Sequence, residues 1–194
     1  MVQPTRDRRD EVYDEYLAVP DHLRAEIIDG TLYVSPRPAP RHAIAASGLG
    51  GELFGPFQRG RGGPGGWWIV IEPELHLDYK QPIVPDLAGW RVERMPAFPE
   101  TAYFSVPPDW VCEVLSRSTE KVDRDWKLPY YARHRVGHVW FVDPIDQRLE
   151  VHKLDQDGSW RTVRIHQGDV AVRAEPFDTI ELDLSAMWST PRRG

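Results

Sequence analysis

Hydrophobic and polar positions follow two rhythms along this chain. Within residues 11–19, Val12, Tyr13, Tyr16, Leu17 and Val19 recur at helical spacing, and Pro20 stops the run. Residues 25–34 change to β-forming residues on both sides of Asp29-Gly30, a pair suited to the type I′ turn of a hairpin. Three prolines make residues 35–40 a loop. His42 to Phe57 reads as a helix, weakened by Gly48, Gly50 and Gly51. From Trp67 to Asp78 the pattern alternates: Trp67, Ile69, Ile71, Leu75 and Leu77 share one face, and Glu72, Glu74, His76 and Asp78 the other. That predicts one long strand, bent at Pro73. Pro82 to Trp90 and Trp110 to Leu115 are almost continuously apolar, as in central strands covered on both faces. Thr119 to Arg135 returns to the helical period, with Val122, Trp126 and Tyr130 four apart and Gly137 beyond its end. Pro129 complicates that helix. It requires either a kink or a start near Trp126. Strands follow at Val139–Val142, around Val151 and at Trp160–Ile165, the last two joined by a turn at Asp157-Gly158. A short strand and a helical turn fall within Phe177–Trp188. This order predicts an α/β fold with a mixed sheet flanked by helices and a β-rich C-terminal part.

Composition narrows the picture. The 194 residues are 41% hydrophobic and 28% charged, an ordinary globular balance. The length suits one domain, placed at residues 11–190 behind a polar, flexible tail of residues 1–10. Only Cys112 carries a thiol, so no internal disulfide can form. Neither a secretory signal nor a stretch of ~20 apolar residues is present, and a cytoplasmic location with no membrane partner is expected. The net charge of -6 argues against a passive nucleic-acid coat. It leaves room for an enzyme that acts on nucleic acid, which needs acids to hold a metal.

Two acids sit where water should be absent. Asp86 lies in PIVPDLAGW and Glu113 in WVCEVLS, both inside apolar runs. A buried carboxylate costs several kcal/mol unless it is paired or ligates a cation. A buried arginine or a capped turn would satisfy one such acid. Two converging acids repel, and a hard cation such as Mg²⁺ relieves that repulsion.

An ordered set of segments carries a resemblance. It consists of AEIIDGTLYVSP, Pro40-Arg41-His42, VPDLAGW, CEVLS, DRDWK, YYARHRVGHVWFVDP and PFDTIELDL, together covering roughly residues 12 to 188. The set resembles the bacterial putative restriction endonuclease family, within the PD-(D/E)XK nuclease superfamily. The resemblance implies a restriction-endonuclease-like fold and a metal-dependent endonuclease that cleaves phosphodiester bonds in DNA. It matches Asp86 and Glu113 to the catalytic acids, which would ligate Mg²⁺ or Mn²⁺ with the carbonyl of Val114. Glu26 matches a further acid of the first hairpin. Leu115 stands where the superfamily motif has lysine, and Lys127 of the following helix matches the substitute. The alternative implied is a non-catalytic member of the same fold, binding nucleic acid or protein.

Two segments reverse the overall sign. Between Arg117 and Arg135 six basic side chains stand against three acids, and between Arg37 and Arg61 four arginines stand against Glu52. Phosphate contacts are therefore expected from Arg117, Lys121, Arg124, Arg41 and His42, on the rim of one cleft. A solvated face is the plain alternative. His134 and His138 have a zinc-compatible spacing, but Gly137 stands between them. A homodimer is a further expectation, because cutting two strands favours two sites.

Overall fold

The computed structural model describes residues 7–188. The chain opens with α1 (Arg8–Leu17), whose N-terminus is capped by the Asp7 carboxylate accepting from the Arg9 amide at 3.1 Å. Of the ten residues assigned to the tail, Arg8, Arg9 and Asp10 are therefore helical, Asp7 is the cap, and residues 1–6 lie outside the described residues. β1 (Leu23–Ile28) and β2 (Thr31–Pro36) form the expected hairpin. Asp29 and Gly30 both take positive φ, 50° and 71°, as a type I′ turn demands. α2 (Pro40–Leu53) follows and runs on into a π-helical turn, Phe54–Gln58.

The predicted strand from Trp67 to Asp78 is two strands. β3 (Trp67–Ile71) belongs to the main sheet, and β4 (Leu75–Asp78) pairs with β5 (Gln81–Ile83). The break falls at Glu72, which adopts φ 46°, just before Pro73. A second apolar run is also interrupted. β5 ends at Ile83 and β6 (Leu87–Arg91) begins four residues later, leaving Val84-Pro85-Asp86 outside any ladder. Pro85 has no N–H to donate, so the interruption follows from its chemistry. β7 (Trp110–Val114) is wholly buried.

After β7 come α3 (Glu120–Val122), a π-helical turn (Asp123–Lys127) and α4 (Leu128–Arg133) without interruption. The question posed by Pro129 is answered by the π turn. The Leu128 amide bonds five residues back to the Asp123 carbonyl, so the register is already offset where Pro129 cannot donate. β8 (His138–Asp143), β9 (Arg148–Leu154) and β10 (Trp160–Gln167) complete a six-stranded sheet in the order β10-β9-β8-β7-β6-β3. All neighbours are antiparallel except β7 and β8, whose parallel pairing needs the α3–α4 crossover. The C-terminal strands thus extend the main sheet. β11 (Ala171–Val172) and β12 (Leu182–Asp183) form a small ladder, followed by a 3₁₀ turn at Leu184–Met187.

Apolar side chains cover both faces of the sheet. On one face α2 packs through Ala45, Ala46, Leu49 and Leu53 on Trp110, Cys112, Trp140 and Phe177. On the other, Ala88, Trp90, Val111 and Leu115 meet Tyr130, Tyr131 and Ile28. Each large side chain so buried contributes ~1.5–3 kcal/mol. No helix among the described residues is long and apolar enough to cross a membrane.

Candidate active site

The site forms where the sheet's second face meets the first hairpin. Alternation places Asp86 with Ala88 and Trp90, and Glu113 with Val111 and Leu115, and those four neighbours share one core cluster. The antiparallel register pairs Leu87 with Cys112, so Asp86 and Glu113 are the next residues along. Both line one cavity of about 390 Å³, together with Arg24, Glu26, His42, Asp123 and Lys127. The two expected acids therefore share a face and a cavity. They are 3% and 1% exposed, and Lys127 is 2% exposed.

Most polar atoms here have a partner, although Arg24 Nε and His42 Nδ1 are buried without one among the described residues. Ladder pairing between β6 and β7 stops at Leu87, and the Asp86 carboxylate takes over, accepting from the Val114 amide at 2.7 Å. The same oxygen lies 3.1 Å from His42 Nε2, and the other oxygen accepts from Arg24 at 2.8 Å. Val114 thus enters the site through its N–H. The free backbone of Val84 is used on both sides: its N–H donates to Glu26 at 2.7 Å, and its carbonyl accepts from Arg24 and from Lys127. Lys127 Nζ sits 3.0 Å from Glu26, 3.2 Å from Glu113 and 3.4 Å from Asp123. Tyr131 donates its hydroxyl to Glu113 at 2.5 Å.

The charges push one another in opposite directions. Burial works against the charge of Asp86, yet the His42 hydrogen bond and the Arg24 charge hold its carboxyl well below the usual range. Glu113 goes the other way: burial pushes it well above the usual range, Lys127 opposes this, and the Asp123, Asp86 and Glu26 carboxylates reinforce it. Burial likewise pushes Asp123 up to about 6, with Asp86 and Glu26 adding to the effect and Lys127 opposing it. Burial favours neutral Lys127, but Glu113, Glu26 and Asp123 together hold its ammonium well above the ordinary lysine range.

Formally, four buried carboxylates (Glu26, Asp86, Glu113, Asp123) face two permanent cations, Arg24 and Lys127. With all four ionised two negative charges would be uncompensated, the excess that works with burial to raise the Glu113 and Asp123 carboxyls, and the donors are hard oxygens. That donor set fits a divalent Mg²⁺ or Mn²⁺ ion. Among the described residues no three His, Cys, Asp or Glu side chains form a ready ligand group. The fit is therefore to a Mg²⁺-type site that uses one or two carboxylates, water and substrate oxygens.

The expected phosphate contacts do not gather on one rim. Arg124 is held by Glu120 at 2.9 Å and in a two-pronged pair by Glu150 at 2.8 and 2.9 Å, with its guanidinium over Phe141. Lys121 pairs with Asp125 at 2.5 Å on the surface. Arg41 lines a separate groove beside Ile145 and Trp188. Arg59 and Arg61 lie past the far end of α2, a helix of 14 residues and so ~21 Å long, away from the His42 end. His42 turns inward to Asp86. Arg117 is exposed beside the cavity loop, and Arg37 lines the cavity. The two histidines with zinc spacing part company, His134 to Asp78 and His138 to Glu175.

Three members escaped the sequence reading. Arg24, Asp123 and Tyr131 were not singled out by the sequence as site residues. The helical period does carry a signal for two of them: Asp123, Lys127 and Tyr131 are spaced by four, a polar stripe on a face that should be apolar.

Comparison with known proteins supports a family assignment. The model of the Uma2 family, described as putative restriction endonucleases, matches residues 13–185. A solved structure of a putative nuclease from Anabaena variabilis ATCC 29413 aligns with a TM-score of 0.72 and 21% identity, covering 91% of this chain and 97% of that one. At that identity the likeness shows a shared fold. Comparison with curated proteins gives no significant match.

Proposed function

Because the chain belongs to the Uma2 family of putative restriction endonucleases, we propose that it is a metal-dependent endonuclease hydrolysing phosphodiester bonds of DNA. The observation that carries this reading is the cavity itself. It holds four buried carboxylates and a buried lysine, a costly set to maintain for folding alone.

Hydrolysis adds water across the phosphodiester. The water oxygen bonds to phosphorus, one P–O ester bond breaks, and the leaving alkoxide takes up a proton. Asp86 and Glu113 are the groups that would hold Mg²⁺ or Mn²⁺, which when bound supplies a more acidic water and neutralises charge on the leaving oxygen. The remaining steps fall to the chain. Lys127 presents a fixed ammonium where negative charge accumulates on the phosphoryl oxygens. Glu26 holds that ammonium and is itself anchored on the Val84 amide. Tyr131 fixes the rotamer of Glu113, and Arg24 with His42 fixes Asp86. These supports hold the groups in place before substrate arrives.

The test is cleavage of mixed DNA substrates with Mg²⁺ or Mn²⁺, repeated with chelator. Products with metal and none with chelator are expected. Absence of products with either metal, with binding retained, would favour the non-catalytic binding module instead.

A further inference from the structure

The shape and charge of the cavity restrict what can reach its floor. Resting on the nuclease reading above, we infer that the substrate is an unpaired stretch of DNA, a single strand, flap or melted end, rather than an intact duplex. The geometry argues this in two independent ways.

The first is depth. Asp86, Glu113 and Lys127 are all but withdrawn from solvent, and the space above them is about 390 Å³. That volume lies near the bottom of the ~300–1,000 Å³ range of sites for one small ligand. It suits a nucleotide unit lowered into the cavity. A phosphate in B-form DNA sits on a wide rod whose bases are stacked and paired, and such a rod cannot follow its phosphate inward. The wall supports the same reading. Tyr33, Val34, Pro36 and Pro38 from the β2–α2 side present apolar surface and an aromatic ring, the surface on which an unstacked base rests.

The second is the scarcity of free cations. Proteins that hold duplex DNA commonly neutralise 6–10 phosphates, tracking both strands. Here the cations on the α3–α4 side are already paired, Arg124 with Glu150, Lys121 with Asp125 and Arg133 with Asp29, and Arg41, Arg59 and Arg61 lie in a separate groove or past the far end of α2. Two exposed arginines without an ion pair among the described residues lie nearest, Arg37 lining the cavity and Arg117 between two residues that line it. Arg37 is on the β2–α2 wall, its guanidinium donating only to the Asp21 carbonyl at 2.8 Å, and Arg117 is in the facing loop between Ser116 and Ser118. Two cations, one on each side of the cavity, suffice to grip a short, flexible backbone.

The experiment compares one oligodeoxynucleotide sequence as a single strand and as a perfect duplex. Wild-type protein with Mg²⁺ is assayed for cleavage, and the Glu113→Gln protein is assayed for binding by fluorescence anisotropy. A preference of about tenfold or more for the single strand is expected in both. The salt dependence of single-strand binding should have a log–log slope near 1.4, since two phosphate contacts contribute ~0.7 each. The Arg37→Ala/Arg117→Ala protein should lose most of that slope. Duplex cleaved or bound as well as the single strand overturns the inference and leaves the nuclease reading standing. Failure of wild-type protein to cleave either form overturns the nuclease reading, and the binding ratio of Glu113→Gln then decides the inference. Equal binding of the two forms, or binding of neither, overturns it.

Discussion

Lys127 makes three carboxylate contacts within 3.4 Å, so it does two jobs that a single substitution separates. As a cation it offsets Glu26, Glu113 and Asp123. As a donor at the cavity floor it would face the phosphate in the proposed reaction. Lys127→Ala should lower the cleavage rate ~100-fold or more with nucleic-acid affinity nearly unchanged, the signature of a lost transition-state contact. It should also lower Tm, because buried acids are left uncompensated. Rates are therefore compared at a temperature where both proteins are folded, and an unchanged rate there would remove Lys127 from the chemistry. Asp123 allows a pH test. An unfolded aspartate titrates near ~3.9, whereas this carboxyl is pushed up to about 6, chiefly by burial. Folding then favours the protonated form. The stabilisation is complete below the unfolded value and is lost as pH rises through about 6. In chelator, wild-type Tm should fall across that window relative to Asp123→Asn. Parallel curves for the two proteins would show that Asp123 does not titrate there.

At the level of elements, the placement of His42 against Asp86 depends on how α2 is seated. Gly48 is the tightest point. A Cβ there would lie 2.0 Å from the Ala186 carbonyl oxygen in the 3₁₀ turn, whereas one at Gly51 would meet nothing within 4 Å. Gly48→Ala should therefore destabilise by ~1–3 kcal/mol through forced backbone shifts. Gly51→Ala should stabilise by ~0.5–1 kcal/mol, because alanine loses less entropy in a helix. Thermal unfolding of the pair checks this, and equal effects would mean that α2 does not pack as described. The helices and the first hairpin were legible because each follows local rules: Pro20 and the Asp29-Gly30 turn act on near neighbours, and α2 keeps its helical period despite its glycines. The two apolar runs misled for a physical reason. Period and hydrophobicity do not register that Pro73 or Pro85 removes a ladder bond, so β3–β4 and β5–β6 read as single strands. The π turn was invisible for a related reason, since it shifts the helical register without changing which residues are apolar.

Across the whole molecule, sheet order and the single parallel pair β7–β8 come from non-local contacts that no window of sequence contains. The site was half legible. Asp86 and Glu113 stood out because acids are rare in buried runs, and the family resemblance pointed to Lys127 and Glu26. Arg24 and Tyr131 are ordinary residues until folding brings them to those acids. The basic segments misled because charge counted along a segment ignores the partners that tertiary structure supplies, as Glu150 does for Arg124. What remains is a chain of net charge -6 with a buried acidic cavity and few free cations around it. We propose that this cavity hydrolyses DNA through Asp86 and Glu113. The most direct measurement is the initial rate of DNA cleavage with Mg²⁺ by wild-type, Asp86→Asn and Glu113→Gln proteins, each confirmed as folded. Metal-dependent cleavage by wild type and a loss of ~100-fold or more in both variants are expected. Cleavage by either variant at the wild-type rate would contradict it.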